Sequence, residues 1–233
     1  MLRRSRELFA DILRQTDLVL LALCAAASLF GVLMVASATR YMHTWRLVAV
    51  QSVALLLGVV LYLVISQIDL NDLCKYWKWI FLVGVVGILL LVTPLGIADN
   101  TGNRAWLDFP FLPVKVQPAE IVKLTLTLVL AKQLVWLKEN RDLSSIPSIL
   151  FLAAHLGVIF VLYYKVSSDM GSALVFLFIF ACMCFVGGVA LRWFLLGGMA
   201  GGIAFWALWD LNKIPSYMKL RFQVLFDHSL DPQ

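Results

Sequence analysis

The residues of this chain best suited to chemistry are a glutamate and a lysine at the start of an apolar segment. Glu120 and Lys123 lie three positions apart, just after Gln117 and Pro118, and an uncharged run continues to Ala131. Residues at that spacing share one face of a helix, so the carboxylate and the ammonium can pair. Such a carboxylate can orient a substrate hydroxyl, and the ammonium can hold a phosphate as a point charge.

A purely structural interpretation of Glu120 also stands. Pro118 suits the first position of a helix, where the N–H that proline lacks would have no partner anyway. A glutamate in the first turn favours the positive end of the helix dipole, so Glu120 can act only as a capping residue. Lys123 favours a functional site over simple capping, because the start of a helix does not need a lysine one turn further along. Ionisable residues in membrane spans are functional-site candidates by default.

Two further candidates lie upstream, in the polar segment 99–118, the one long loop that the sequence predicts inside the chain. Arg104 can bind a phosphate with two parallel hydrogen bonds. Trp106 can stack on a sugar face. The alternative is an interfacial tryptophan beside a solvated arginine. Long ordered loops in compact proteins are usually functional, which keeps both residues as candidates.

A second polar cluster joins two apolar segments further along the chain. Here Ser167 or Ser168 is predicted to cap the following helix, with Asp169 in its first turn. Capping alone would account for these residues. If the amino terminus lies inside the cell, this joint and the start of the Glu120 helix emerge on the same outer face. We therefore expect Asp169 to converge with Glu120 and Lys123.

The elements that must position these residues are apolar helices. Hydrophobic residues make up 62% of the 233-residue chain and charged residues 14%, against about 25% charged in soluble domains. A membrane span needs about 20 apolar residues. The sequence therefore predicts an all-α, polytopic membrane protein with seven transmembrane helices. The predicted helices cover 18–39, 47–68, 79–98, 121–136, 143–164, 170–191 and 193–209.

Charge then divides the chain into regions. Arg3, Arg4 and Arg6 favour an amino terminus inside the cell. The sequence predicts a cytoplasmic tail at 1–16, a helical domain at 17–212 with an outer loop at 99–118, and the start of a large outer loop at 213–233. Basic residues are almost as numerous outside as inside under this topology. An anionic ligand such as a lipid diphosphate would account for the outer cations.

Other motifs exclude several classes of function. The net charge of +5 is scattered without a basic stripe between aromatic residues, so nucleic acid is not an expected partner. The four cysteines lack the spacing of a zinc site, and no P-loop, nucleophile-elbow or H-E-x-x-H pattern is present. His155, in mid-span, is predicted to be a hydrogen-bonded packing residue, with a proton relay as the alternative. The glycines at 197–202 predict close helix packing.

The motifs resemble those of the SEDS family (shape, elongation, division, sporulation), the RodA/FtsW/SpoVE group. The match covers nearly the whole chain and is most specific in 102–107 and 117–123. The matching blocks are Asp17 with 31–39, then 102–107 with 117–123, then 168–173, and finally 221–227 with 231–232. The chain departs from the family at Ala119, where a serine is usual, and at Ser167 and Ser168, where the family has Gln-Pro.

The resemblance implies a glycosyltransferase of the bacterial cytoplasmic membrane that polymerises lipid II into glycan strands on its outer side. Family members have about ten helices, and the aspartate regarded as catalytic lies further along the outer loop, beyond Gln233. By resemblance the chain corresponds to the amino-terminal two thirds of such a protein. The catalytic base is therefore not assigned within this chain.

The resemblance also implies roles for particular residues and partners. Arg104 and Lys123 would contact diphosphate or sugar, Glu120 would hold Lys123, and Asp169 would have a supporting polar role. The substrate-binding or supporting set is Arg104, Trp106, Gln117, Glu120, Lys123 and Asp169. The implied partners are lipid II, membrane lipid and a class B penicillin-binding transpeptidase that docks through membrane helices. No cofactor motif is evident, and a divalent cation is left as an option.

Two other functions stay open. A flippase for the same lipid precursor would use the same outer cations but would need a polar path across the membrane. A non-catalytic scaffold that recruits a transpeptidase is the other. The resemblance does not separate roles in elongation, division or sporulation.

Overall fold

The structure, a computed structural model, describes residues 16–40, 45–98, 102–110, 115–211, 219 and 224. These residues form eight α-helices and two short strands. The helices are α1 (Leu18–Ala38), α2 (Arg46–Ile65), α3 (Leu70–Lys75), α4 (Trp77–Leu90), α5 (Pro118–Asn140), α6 (Ile146–Ser167), α7 (Met170–Gly187) and α8 (Leu191–Asp210); the strands are β1 (Gly96–Ile97) and β2 (Trp106–Leu107). Nearly all of the predicted tail 1–16 and of the segment 213–233 lies outside the described residues.

The predicted all-helical membrane architecture is confirmed. Five of the described helices, α1, α2, α6, α7 and α8, are long and apolar enough to cross a membrane, and α4 is a shorter apolar helix. The remaining predicted span corresponds to α5, which is long but interrupted by Lys123 and Lys132. Each of the seven predicted segments therefore contains a helix, and the protein is a multi-pass membrane protein.

The chain divides into two compact units, Met1–Lys75 and Tyr76–Gln233. In the first unit α1 packs against α2. The side chain of Asp17 caps α1 by accepting a hydrogen bond from the amide of Leu20 at 3.0 Å. The hydroxyl of Tyr62 donates to the Asp17 carbonyl at 3.1 Å, which ties the end of α2 to the start of α1.

Two predicted helix boundaries are wrong for local reasons. The third predicted span was to end at 98, but α4 ends at Leu90. Pro94 lacks an N–H and disfavours the helical conformation at Thr93, so the chain leaves the helix in turns before β1. The turn predicted at Arg192 lies earlier, because α7 ends before Gly188, whose φ of 96° is readily adopted only by glycine.

A small hairpin that the sequence did not indicate joins the end of the third predicted span to the predicted outer loop. β1 pairs antiparallel with β2, placing Gly96 opposite Leu107 and Ile97 opposite Trp106. A side chain at Gly96 would collide with the carbonyl oxygen of Leu91 and with Nε of Arg104. Only glycine therefore allows the backbone to approach this closely.

The core of the second unit lies in two clusters at opposite ends. One joins the end of α4, β2, the start of α5, the end of α6 and the start of α7, through Ile88, Leu91, Leu107, Ala119, Val122, Tyr163, Ala173 and Phe176. The other joins the second half of α5, the start of α6 and the end of α7, through Leu130, Leu134, Leu137, Leu152 and Cys184. We call the first end of the unit the site end and the second the far end.

Candidate functional site

Glu120 and Lys123 form an ion pair on the first turn and a half of α5. The Lys123 Nζ lies 2.7 Å from Oε1 and 2.7 Å from Oε2 of Glu120. The Glu120 side chain is 62% exposed and that of Lys123 is 28% exposed. The pairing expected from the spacing is therefore present, with the carboxylate on the outside and the ammonium closer to the protein.

The start of α5 fixes the direction in which this pair points. Pro118 is in the first turn, as predicted, and Gln117 precedes the helix in an extended conformation without a side-chain capping bond. Ala119 and Val122 are completely buried. Because residues three positions apart share one face of a helix, Ala119 and Val122 define the inward face of α5 and Glu120 lies off it.

Asp169, rather than either serine before it, caps α7. Its carboxylate accepts hydrogen bonds from the Ser172 amide at 3.3 Å, the Ser172 hydroxyl at 2.6 Å and the Tyr163 hydroxyl at 3.1 Å. The predicted cap by Ser167 or Ser168 is wrong because α6 runs through Ser167. Ser168 then makes the turn in the left-handed conformation, with φ of 58°, and leaves the capping position to Asp169.

Arg104 makes three hydrogen bonds that brace the hairpin, one of which joins it to the end of α6. Its Nε donates to the carbonyl of Gly96 at 3.1 Å and its Nη2 to the carbonyl of Thr93 at 2.9 Å. Its backbone amide donates to the carbonyl of Ser167 at 3.0 Å, at the end of α6. The guanidinium has five N–H groups, so this positioning role leaves donors for a ligand.

Trp106 lies on β2, half-buried between two buried neighbours. Ala105 is 4% exposed and Leu107 is 3% exposed. Side chains alternate across a strand, so the indole lies on the face opposite to Leu107. This arrangement leaves Trp106 partly accessible.

The fold brings the predicted site residues to one end of the second unit. The hydrogen bond from Arg104 to Ser167 joins the hairpin to the α6–α7 joint. The shared cluster of Ala119, Val122 and Ala173 joins the starts of α5 and α7. The elements that carry or adjoin the six predicted site residues therefore meet at the site end; these residues are Arg104, Trp106, Gln117, Glu120, Lys123 and Asp169.

Three contributing residues were missed in the sequence. Ser172 lies three positions after its partner Asp169, a spacing typical of helix caps that could have identified it. Tyr163 and Thr93 follow no such local rule, because they reach their partners through the packing of separate elements. Among the described residues no group of three His, Cys, Asp or Glu side chains is placed to hold a metal ion.

The mid-span histidine is hydrogen-bonded, as the packing interpretation predicts. The Nδ1 of His155 lies 2.8 Å from Oε1 of Gln133 on α5, and both side chains are buried. The ring of Phe81 packs edge-on against the imidazole at 5.2 Å. Nε2 makes no hydrogen bond to the described residues.

Comparison with known proteins places this arrangement in a family. The family model of the FtsW, RodA and SpoVE cell cycle proteins matches residues 15–233. The chain belongs to this family. The resemblance inferred from the sequence motifs is thereby confirmed.

Curated relatives of this FtsW/RodA/SpoVE-family chain carry a common description. A probable peptidoglycan glycosyltransferase FtsW of Saccharophagus degradans is 31% identical over 204 residues, 84% of this chain and 51% of the relative. Another of Nitrosococcus halophilus is 30% identical over 223 residues, 88% of this chain and 54% of the relative. The chain thus spans about half the length of the curated relatives it matches, less than the two thirds expected.

Solved structures share the fold of this family chain. One, described as a peptidoglycan synthase complex that coordinates polymerization and crosslinking, matches 89% of this chain and 58% of its own with a TM-score of 0.73 and 28% identity. The rod shape determining protein RodA of Thermus thermophilus matches 79% of this chain and 58% of its own, with a TM-score of 0.63 and 29% identity. The polytopic helical fold is therefore common to these proteins.

Proposed function

We propose that this chain belongs to a peptidoglycan glycosyltransferase that polymerises lipid II into glycan strands during bacterial cell wall synthesis. The observation that carries the proposal is the gathering of an ion pair, Glu120–Lys123, with Arg104 and Asp169 at one end of the second unit. The names of the curated relatives support the same activity for the family.

The reaction needs both a base and cations. The 4-hydroxyl oxygen of the acceptor sugar attacks the anomeric carbon of the donor, its proton passes to a carboxylate, and undecaprenyl diphosphate departs. Cations held in place stabilise the charge that develops on the leaving diphosphate. In the proposal this cationic surface comes from Lys123 and from the Arg104 N–H groups that make no hydrogen bond to the described residues. Trp106 lines the sugar groove.

Glu120 holds Lys123 until the substrate arrives. An ion pair this exposed contributes about 1 kcal/mol or less, so a diphosphate can replace the carboxylate at the ammonium with little loss. The freed carboxylate can then accept a hydrogen bond from a sugar hydroxyl. Glu120 therefore presets the position of Lys123 without competing strongly for it.

Asp169 acts as a positioning residue in this proposal. Its carboxylate accepts three hydrogen bonds, from Tyr163 and Ser172. These bonds occupy three of the roughly four lone-pair positions of the carboxylate, which leaves little capacity for a proton taken from substrate. We assign no general base among the described residues.

The proposal places the site end on the outer side of the bacterial cytoplasmic membrane, with the amino terminus inside. The arginines at 3, 4 and 6 support this orientation, because positive residues near the first span favour the cytoplasmic side. Labelling a cysteine introduced at Glu120 with a membrane-impermeant reagent in intact cells tests it. Labelling only after the membrane is permeabilised would contradict both the orientation and the extracellular reaction.

A class B penicillin-binding transpeptidase is the proposed protein partner, docked through membrane helices. The likeness to a peptidoglycan synthase complex supports it. So does α8, which buries no residue among the described part of the chain. A side chain built at Gly197, Gly198, Gly201 or Gly202 would meet nothing within 4 Å, and such glycine faces allow close approach of another helix.

A substitution series in the natural full-length protein tests the activity. Glu120→Ala and Lys123→Ala are expected to slow the polymerisation of purified lipid II, with Lys123→Ala the more severe because it removes the phosphate contact. Lys138→Ala, near the other end of α5, is the matched control and is expected to keep activity. Full activity in both site variants would remove this site from the mechanism.

A flippase for lipid II is the second candidate, favoured by the buried polar pair His155–Gln133 within the helices. Such a pair can line a polar path across a membrane. Translocation of a fluorescent lipid II across vesicles that hold the purified protein separates the two functions. Loss of transport in the Gln133→Leu variant would favour the flippase if neither the wild type nor the variant polymerises lipid II.

A further inference from the structure

A cavity of about 240 Å³ opens at the far end of the second unit, away from the candidate site. Trp77, at the start of α4, and Trp136, near the end of α5, lie on its wall with Phe151, near the start of α6. The remaining lining residues are Lys132 and Gln133 on α5. The cavity therefore combines three aromatic rings with one cation and one amide.

Lys132 lies inside α5 rather than at its end, and the residue is exposed. It precedes the end of α5 by eight residues, which is about 12 Å along the axis. It makes no ion pair with any described residue. An ammonium group at such depth extends to the membrane interface or pairs with an anion. Since no described residue supplies that anion, an anionic ligand in the cavity would be the counter-ion of Lys132.

The surroundings of the cavity are cationic. Within 77–80 and 132–142 the basic residues Lys78, Lys132, Lys138 and Arg141 outnumber the acidic residues Glu139 and Asp142. The Lys78 ammonium lies 5.8 Å from the ring of Trp77, and the Arg141 guanidinium lies 5.5 Å from the ring of Trp136. These contacts hold positive charge beside the aromatic walls.

Gln133 adds a hydrogen-bond donor to the cavity wall. Its Oε1 accepts a hydrogen bond of 2.8 Å from His155 Nδ1, and the residue is 9% exposed. Its amide nitrogen makes no hydrogen bond to the described residues, although an amide group has two donors. The donors next to Lys132 are therefore available to an oxygen acceptor.

We propose that this cavity binds an anionic phospholipid from the leaflet at the far end. The phosphate contacts the Lys132 ammonium and the Gln133 amide. The glycerol and upper acyl chain lie against Trp77, Trp136 and Phe151. A lipid fits better than a free phosphate, because the aromatic rings give a free ion nothing to bind, whereas basic pockets between membrane helices with apolar walls suit lipid head groups. The proposal does not depend on the polymerase function, since the cavity is at the opposite end from Glu120 and Lys123.

Lipid titration followed by native mass spectrometry tests this site on the purified chain in detergent. The probes are dioleoyl phosphatidylglycerol, which is anionic, and dioleoyl phosphatidylcholine, which is not. Wild type is expected to retain the anionic lipid preferentially, and Lys132→Gln to bind it about fivefold more weakly. Lys138→Gln removes the same charge about 9 Å further along α5, outside the cavity, and is expected to weaken binding much less than Lys132→Gln does.

Several outcomes overturn the site. These are equal retention of the two lipids by wild type, unchanged binding in Lys132→Gln, and an equal loss in Lys138→Gln. Displacement of the anionic lipid by millimolar inorganic phosphate would show a site for a free ion instead. If Lys132→Gln does not fold, brominated phosphatidylglycerol decides, because it is expected to quench the fluorescence of Trp136 in the wild type. If brominated phosphatidylglycerol quenches the tryptophan fluorescence of the Trp136→Phe variant as much as that of the wild type, the proposal is overturned.

Discussion

The hydroxyl of Tyr163 donates a 3.1 Å hydrogen bond to Oδ2 of Asp169, linking the last turns of α6 to the cap of α7. Tyr163 is completely buried, and its ring packs edge-on against Phe176 at 5.2 Å. The cap of α7 is therefore attached to the core at the site end. A carboxylate so attached keeps its place when substrate binds, as a positioning residue must.

Loss of this cap is expected to destabilise the protein. Asp169→Ala should lower the free energy of unfolding by about 1 kcal/mol, since the amide of Ser172 loses its acceptor. Asp169→Asn retains a capping oxygen and should cost less. Thermal unfolding in detergent, followed by circular dichroism, measures both.

A double-mutant cycle tests the link between the two residues. Tyr163→Phe should cost about 1 kcal/mol alone and much less in the Asp169→Ala background, because the shared hydrogen bond is already lost. Additive effects of the two substitutions would show that the bond contributes nothing.

Exchange of the charges at 120 and 123 separates a structural ion pair from a binding site. The double variant Glu120→Lys with Lys123→Glu keeps an ion pair at the same spacing, so stability should change by only about 0.5 kcal/mol. Polymerisation of lipid II should nevertheless stay low, because the ammonium is no longer at position 123. Recovery of full activity in the exchanged variant would mean that the pair serves only the helix.

Gly96→Ala is expected to disturb the hairpin. The new Cβ would collide with the Leu91 carbonyl and with Arg104 Nε, so the Arg104 hydrogen bonds should break at a cost of about 1–3 kcal/mol. Faster hydrogen exchange at Trp106 and Leu107, measured by mass spectrometry, reports the change. Gly157→Ala is the matched control, because a Cβ there meets nothing within 4 Å. Identical exchange in the two variants would contradict the assigned role of Gly96.

The buried pair His155–Gln133 is expected to behave as a unit. Gln133→Leu alone leaves the Nδ1 of His155 without a partner and should lower the free energy of unfolding by about 1–3 kcal/mol. The double variant with His155→Leu as well should recover most of this loss, because no buried polar group is left unpaired. Unfolding in increasing dodecyl sulfate measures the three variants. A double variant less stable than Gln133→Leu would be inconsistent with a packing pair.

Local rules account for what could be predicted. Apolar runs of membrane-spanning length indicated seven helices, because the bilayer imposes their length and leaves backbone groups no partners except each other. Pro118 marked the start of α5, and the spacing of Glu120 and Lys123 indicated their ion pair, since both features depend on the geometry of a single helix.

Tertiary packing decided the rest. The hairpin, the bond from Arg104 to Ser167 and the pair His155–Gln133 join residues far apart in the chain, the last separated by 22 positions. No periodicity encodes such contacts, because they depend on which helices become neighbours and at what depth. The sequence by itself determined which segments are helices and which charges they carry. The way the helices pack decided that Arg104, Lys123 and Asp169 lie at one end, since burial of the shared apolar cluster brings their elements together.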